Sequence, residues 1–373
     1  MKKIIFICHS SYRYNKPFDP NFSITFGFLN HYLKENGYST IRHSLYRGGE
    51  SRIHKSGNAD NYYKIPLLGL LPDPIRYVCE LVVNFFILVF KKPKIVIAID
   101  PLSCFIPSIL WKAGYIKKVF FITPDFSEKR FKNNILNEIY FFIDKFCTFN
   151  SSKNIVCAQT VIDHKKNIYN APEKIFFHMP NIPNPWVIEK FSKIQKIKNR
   201  IVYVGNISNQ INFLEIFNSF EKAKNKVPDL SMIIIGSGDM EEELKKKMAE
   251  KNITNIKFLG QLNYEDTLKE IAKSEIGIAI YNGSFNYDKF RDSCKIREYQ
   301  SLGVVPITTE VVRSNVVEIR KYKSGIILKK GDNLGMILPF CLEKNSSPSE
   351  ISIRNNCHIY NHKYEDFYRL LIK

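Results

Sequence analysis

Short apolar runs rich in β-branched residues alternate along this chain with longer stretches whose apolar positions return every three or four residues, the pattern of strands feeding helices. In the first half the strand pattern falls at Lys3–Cys8, Thr40–His43, Ile95–Ile99, Val119–Ile122, Ile155–Cys157 and Ile175–Phe177. The helical pattern falls at Phe22–Lys34, Pro74–Lys91, Leu102–Ala113, Asn133–Phe146 and Val161–Ile168. Residues 46–62, polar and glycine-containing, read as a loop. Several runs are apolar at successive positions, which predicts strands buried on both faces, and so an α/β fold with parallel sheets.

The pattern breaks at Met179-Pro180-Asn181-Ile182-Pro183-Asn184-Pro185, where closely spaced prolines can continue neither a helix nor a central strand. It then restarts. Strands are expected at Ile201–Gly205, Met232–Ile235, Ile256–Leu259 and Ile276–Ile280, with helices at Phe213–Lys224, Met240–Lys251 and Tyr264–Ala272. A short helix after Ser293, closed by Gly303 and followed by the apolar Val304-Val305-Pro306-Ile307, continues the series. The chain thus reads as two doubly wound units, 1–185 and 186–350. A terminal segment, 351–373, carries a helix near Tyr360–Leu371 expected to pack back on the first unit.

Composition narrows the partners. The formal charge is +19 and hydrophobic residues make up 45%, so a globular protein attracted to polyanions is expected: nucleic acid, an anionic membrane face or phosphorylated substrates. The basic residues are spread over every helix without interleaved aromatics, and no helix-turn-helix, zinc-finger or RNP-like string occurs, which weighs against a dedicated nucleic-acid binder. The eight cysteines form no C-x-x-C pair and suit a reduced, cytoplasmic protein. The start MKKIIFICHS reads as a buried strand and not as a signal peptide. The apolar stretch Tyr77–Phe90 contains Glu80 and Asn84, falls short of the roughly 20 residues that cross a bilayer, and ends in Lys91, Lys92 and Lys94, so a core or interfacial helix is expected.

In open parallel sheets ligands sit beyond the C-terminal ends of strands. The loops there hold His9-Ser10-Ser11, Asp100-Pro101 and Thr123-Pro124-Asp125 in the first unit. The second unit offers Gly205-Asn206, Gly236-Ser237-Gly238, Tyr281-Asn282 and the Asp292–Lys295 turn. The Gly236-x-Gly238 turn lacks the third glycine of a dinucleotide fingerprint, and no P-loop, G-x-S-x-G, H-E-x-x-H or D-x-D occurs. His358 and His362 have no third ligand in the pattern, so no metal site is expected. Lys295 and Glu298 stand one helical turn apart on one face, an arrangement that is a solvated ion pair in isolation and a diphosphate-plus-hydroxyl site at a strand end.

The order of the motifs in the second unit resembles a known family. The glycine turns at 205 and 236–238, Ile-Lys-Phe-Leu-Gly at 256–260, Ser-Glu-Ile-Gly-Ile-Ala-Ile-Tyr at 274–281 and Lys295-Ile-Arg-Glu298-Tyr-x-x-x-Gly303-x-x-Pro306 look like the GT-B, family 4 (group 1) retaining glycosyltransferases of bacterial polysaccharide assembly. The likeness covers residues 200–330 most specifically. Asp125-Phe-Ser-x-Lys129-Arg130-Phe131 and Leu136-Asn137-x-Ile139-Tyr140-x-x-x-Asp144 resemble acceptor-side segments.

The resemblance implies an N-terminal acceptor domain and a C-terminal nucleotide-sugar domain, both Rossmann-like, facing across a cleft. It implies a metal-independent hexosyl transfer with no cofactor beyond the UDP- or GDP-linked donor, to a lipid-linked or glycan acceptor in surface glycan synthesis, cytoplasmic or peripheral on the inner membrane face. Glu298 matches the second glutamate of the family's E-x7-E motif, which holds the ribose. Lys295 belongs to the helix that faces the diphosphate, and Gly205, Asn206, Gly236, Gly238 and Tyr281 to the loops around it. The first glutamate of the motif falls at Phe290, so Asp292 or Asp288 is the expected substitute. The family's cations after the first glycine turn fall at Asn206 and near Ile211-Asn212, so Arg291 or Arg297 is expected to share the charge with Lys295. Catalysis then rests on Lys295 and Glu298, with Asp125 orienting the acceptor. Two other functions fit the same residues: a GT-B sugar-nucleotide epimerase or phosphorylase, and a catalytically silent sugar-nucleotide or nucleic-acid binding protein.

Overall fold

A computed structural model describes residues 3–10, 33, 39–46, 51–55, 62–65, 71–183, 185–209, 211–342, 366–367 and 369–371. They divide into two compact units, 1–180 with 362–373, and 181–361. The helix expected at Phe22–Lys34 lies outside the described residues apart from Leu33, as does the start of the terminal helix expected from Tyr360.

The first unit is built on strands β1 (Lys3–Ser10), β2 (Ser39–Tyr46), β3 (Ser51–Lys55), β4 (Tyr62–Ile65), β5 (Ile95–Ile99), β6 (Lys118–Thr123), β7 (Lys153–Val156) and β8 (Phe176–His178), in the order β4-β3-β2-β1-β5-β6-β7-β8. From β2 to β8 every pairing is parallel, whereas β3 runs antiparallel to both β2 and β4. Strand β3 lies where the sequence reads as loop. As a strand near the sheet edge with Arg52 and His54 around Ile53, it needs no apolar run, and its pattern is too weak to read. Helices α1 (Asp73–Lys91), α2 (Pro101–Lys112) and α3 (Asn134–Phe149) pack side by side over one core with Ile5, Ile7, Val96, Ala98, Val119 and Phe121. Helix α4 (Gln159–Tyr169) follows β7. Buried Phe367 meets Phe120 edge-on at 5.3 Å and lies 6.1 Å from Phe177, while the Lys118 ammonium donates to the Leu370 and Leu371 carbonyls.

The second unit opens with α5 (Pro185–Glu189). It then alternates β9 (Arg200–Val204), α6 (Phe213–Lys224), β10 (Ser231–Ile235), α7 (Glu241–Glu250), β11 (Ile256–Gly260), α8 (Tyr264–Ala272) and β12 (Ile276–Ala279). After them come α9 (Cys294–Ser301), β13 (Val305–Thr309), α10 (Arg313–Tyr322), β14 (Ile326–Leu328) and α11 (Leu334–Leu342). Helix starts follow local chemistry: Asn212 and Asn263 accept from the Glu215 and Asp266 amides, and α7 opens on three glutamates and closes near Lys247. The sheet is wholly parallel in the order β11-β10-β9-β12-β13-β14.

The order reverses between β9 and β12, which makes that pair the topological switch point. Their register runs from Ile201↔Ile276 to Tyr203↔Ile278 and stops. Beyond it Tyr299 of α9 fills the gap, its hydroxyl accepting from the Val204 amide and donating to the Ile278 carbonyl, both at 3.2 Å. The crevice at this switch point is where the loops after β9, β10 and β12 meet α9.

Candidate functional site

The floor of the crevice is backbone. Gly205 has φ +142° and Gly236 φ +131°. A Cβ at Gly236 would stand 1.9 Å from the Gly205 carbonyl oxygen, one at Gly238 2.0 Å from that of Ile207, and one at Gly205 2.6 Å from Lys295 Nζ. Only glycine fits where two loops and a lysine approach so closely. The loops are joined by the Gly205 amide to the Ile235 carbonyl (2.9 Å), Ile207 to Ser237 (3.1 Å) and Met240 to Ile207 (3.2 Å). Asn206 is exposed, and its carbonyl accepts from the buried Tyr203 hydroxyl at 2.8 Å.

Two cations converge above this floor. Lys295 Nζ lies 4.8 Å from the Tyr203 ring centre and 5.5 Å from that of Tyr281. The Arg291 guanidinium lies 4.7 Å from the same Tyr281 ring and 5.2 Å from Tyr287. Tyr281 is fixed on three sides: its hydroxyl shares a 3.0 Å hydrogen bond with Ser293, its amide donates to Thr309 Oγ1 at 3.2 Å, and its carbonyl accepts from that hydroxyl at 2.8 Å. Burial opposes the charge on Lys295, but Tyr203 and Tyr281 more than offset it, and its pKa stays above the ordinary lysine value. Asp288, buried, pairs with Arg291 at 2.9 Å and so aims it at Tyr281.

Ser293 is the N-cap residue of α9, yet it gives no side-chain cap, because its hydroxyl faces Tyr281. Its backbone is held by Asn315, whose Oδ1 accepts from the Ser293 amide (2.8 Å) and whose amide nitrogen donates to the Ser293 carbonyl (3.1 Å). The positive end of α9 is thereby fixed beside Lys295 and Arg291. One turn along, Glu298 is 6% exposed. Burial pushes its carboxyl up to about 7, against the opposing pull of the Tyr264 hydroxyl and the Lys295 ammonium.

Arg297 and Asp292, expected among the donor contacts, stand apart from this cluster. Their side chains are buried and bound to each other in a two-pronged pair of 2.7 and 2.8 Å. Arg297 also donates to both Glu318 oxygens and to the Asn181 carbonyl, and Asp292 accepts from the Asn181 amide. Helical spacing places residue 297 about a third of a turn from 298, so it points into the domain while Glu298 lines the crevice. Both expected substitutes for the first glutamate are engaged with cations: Asp292 holds Arg297 and Asp288 holds Arg291, while Phe290 itself is buried. Asp125 stands in the first unit, after β6, its side chain 59% exposed and paired with Arg130 at 3.1 Å. Tyr203, Tyr264 and Asn315 surround the cluster and carry no motif signal, whereas Ser293 lies in the Asp292–Lys295 turn. Arg291 could be read only as one of two alternatives. Among the described residues no three histidine, cysteine, aspartate or glutamate side chains converge to hold a metal ion.

This crevice lies inside a region with known relatives. Residues 186–337 match the group 1 glycosyl transferases. The match thus spans β9 to β14 and every residue of the cluster. No curated protein matches the chain by sequence. Solved structures share the fold over the whole chain. The sucrose-phosphate synthase of Thermosynechococcus elongatus is 11% identical, with 100% of this chain and 99% of that one covered and a TM-score of 0.72. A trehalose-6-phosphate structure from E. coli, bound with UDP-2-fluoro glucose, is 13% identical over 98% of each chain, with a TM-score of 0.67. WaaG, a glycosyltransferase involved in lipopolysaccharide biosynthesis, is 14% identical over 97% of this chain and 95% of its own, with a TM-score of 0.61. The chain has the GT-B fold, two parallel-sheet α/β domains, and the match to the group 1 glycosyl transferases lies in the second.

Proposed function

We propose that the protein is a family 4 type retaining glycosyltransferase that moves a hexosyl group from a UDP- or GDP-linked donor to a lipid-linked or polysaccharide acceptor in surface glycan synthesis. The observation that carries this reading is the convergence of Lys295, Arg291 and the positive end of α9 on Tyr281, with the buried Glu298 carboxylate one turn away. Cleaving the bond between the anomeric carbon and the diphosphate leaves negative charge on phosphate oxygens. Two fixed cations and a helix end stabilise that charge without reorganising during the reaction, and metal-independent chemistry follows. Glu298 accepts hydrogen bonds from the ribose hydroxyls. In retention by front-face attack the departing phosphate takes the acceptor proton, so no dedicated base is needed, and Asp125 orients the acceptor hydroxyl. The UDP-sugar in the E. coli neighbour and the lipopolysaccharide role of WaaG support the donor class and the acceptor class. A lipid-linked acceptor in turn places the enzyme peripherally on the inner membrane face.

The test is nucleotide release across a panel of UDP- and GDP-sugars, with and without acceptor lipids, together with calorimetry against UDP, GDP and a short oligonucleotide. Acceptor-dependent release that Lys295→Gln and Glu298→Gln both abolish is expected. Turnover of the sugar nucleotide with no acceptor present, or binding of the oligonucleotide and neither nucleoside diphosphate, would refute the assignment.

A further inference from the structure

Helix α1 is amphipathic in the wrong sense. Its inward side is Arg76, Glu80 and Asn84, all buried, with Arg76 and Glu80 paired at 3.8 Å, and Leu88 alone is apolar in that row. Its outward side is Val78, Val82, Phe86 and Phe90, and Phe90 is 77% exposed. Phe85, Phe86 and Phe90 lean on one another in open solvent, at ring separations of 5.6 and 6.1 Å. Helices in a water-facing layer bury the apolar side and expose the polar one.

The neighbouring helices extend this surface. On α3, Ile135, Ile139 and Phe142 are exposed, Phe142 by 64%, and α2 between them adds Ile109. Most of the large apolar side chains exposed among the described residues lie on these three helices, whereas the second unit has few. An apolar surface of this extent marks a docking face.

Charge identifies what docks. Where the end of α1 meets the turn after α2, the Tyr115 hydroxyl donates to the Val89 carbonyl at 2.8 Å and the Lys118 amide to the Lys94 carbonyl at 3.1 Å. Lys91, Lys92, Lys94, Lys112 and Lys117 therefore gather at one end of the apolar face, all exposed. Among the described side chains of the three helices, Glu138 is the one exposed carboxylate. In a two-fold dimer through this face the lysine rim would meet itself or an apolar surface, with no acidic patch on the same helices to receive it. An anionic lipid surface complements both parts at once: acyl chains take the aromatic ridge and head groups take the lysines. No described helix is long and apolar enough to cross a membrane, which fits a helix lying in the interface plane.

We infer that the outer face of α1, α2 and α3, with Phe86 and Phe90 inserted and Lys91, Lys92 and Lys94 on the head groups, docks the protein on an anionic bilayer. This rests on the peripheral placement proposed above and is independent of the transfer chemistry.

The experiment is co-sedimentation of the full chain with vesicles of phosphatidylglycerol in phosphatidylcholine, against phosphatidylcholine alone, at low and high salt. Wild type is expected to bind the anionic vesicles and to be released by salt. Lys91→Gln, Lys92→Gln and Lys94→Gln together should weaken partitioning about a hundredfold, roughly fivefold for each lysine. Phe86→Ser with Phe90→Ser should abolish insertion. In a Trp186→Phe background, brominated lipid should quench Trp111, which sits on α2 in the same layer. Failure of wild type to bind anionic vesicles, binding unchanged in the Phe86→Ser, Phe90→Ser variant, or a concentration-dependent dimer that this variant dissociates while wild type ignores lipid would each overturn the inference. Nucleotide binding by the lysine and phenylalanine variants in solution reads out the donor site separately, and Phe86, Phe90, Lys91, Lys92 and Lys94 all belong to the first unit.

Discussion

Glu298 offers the sharpest test of the site, because function and stability pull against each other there. Its carboxyl is buried and its pKa raised from the usual 4.5 to about 7. Below pH 4.5 both folded and unfolded states hold the proton, and the residue is neutral to stability. Between these values the unfolded chain releases its proton while the folded protein keeps it, so stability falls as pH rises. Above the folded value both states are ionised, and the full deficit remains. A shift of this size corresponds to about 3 kcal/mol. Glu298→Gln removes the ionisation and keeps the shape, so the variant should match wild type at pH 4.5 and exceed it by up to about 3 kcal/mol at pH 8. Urea midpoints of the full chain between those pH values give the comparison. The same variant should bind a nucleoside diphosphate about ten- to a hundredfold more weakly, since a hydrogen bond to a charged acceptor is worth roughly 1.5–3 kcal/mol. Equal midpoints for wild type and variant at both ends of the range would show that Glu298 is not buried as a charge, and unchanged nucleoside diphosphate binding would remove it from the site.

Lys295→Gln should leave the unfolding free energy from urea denaturation within about 1 kcal/mol, weaken nucleoside diphosphate more than nucleoside, and push the Glu298 titration still higher, read by carboxyl NMR or infrared titration, because an opposing cation is gone. Arg297→Met should destabilise the fold by about 3–5 kcal/mol, since Asp292 and Glu318 then lose a buried partner; urea denaturation checks this. Gly236→Ala should cost at least about 2 kcal/mol in the same assay, with its Cβ set 1.9 Å from the Gly205 oxygen at positive φ.

Several features of the fold and site were legible from residues alone, for a common reason. Parallel strand segments such as residues 201–203 and Ile276–Ala279 are buried on both faces, so they read as continuous apolar runs. Gly303, with φ +68°, closes α9 where the sequence places a helix end, because its conformation is a local requirement. Lys295 and Glu298 could be paired because a helix turn fixes their spacing in any context.

Tertiary structure decided which neighbours of that pair matter. Arg291, Arg297, Asp288 and Asp292 all lie within seven residues of Lys295 along the chain, and local spacing cannot rank them. Arg297 is drawn inward by Glu318 on α10 and by Asn181 at the start of the unit, and these partners lie 21 and 116 residues away. Asp288 turns Arg291 toward Tyr281, a residue delivered by a different strand end. The inverted face of α1 is likewise invisible in its composition, since an apolar helix looks the same whichever side the sheet takes. The sequence by itself determined the periodic elements and the one-turn pair, which depend on local backbone geometry. The tertiary structure decided which charges pair in the domain interior and which gather at the crevice, because that depends on contacts between residues far apart in the chain.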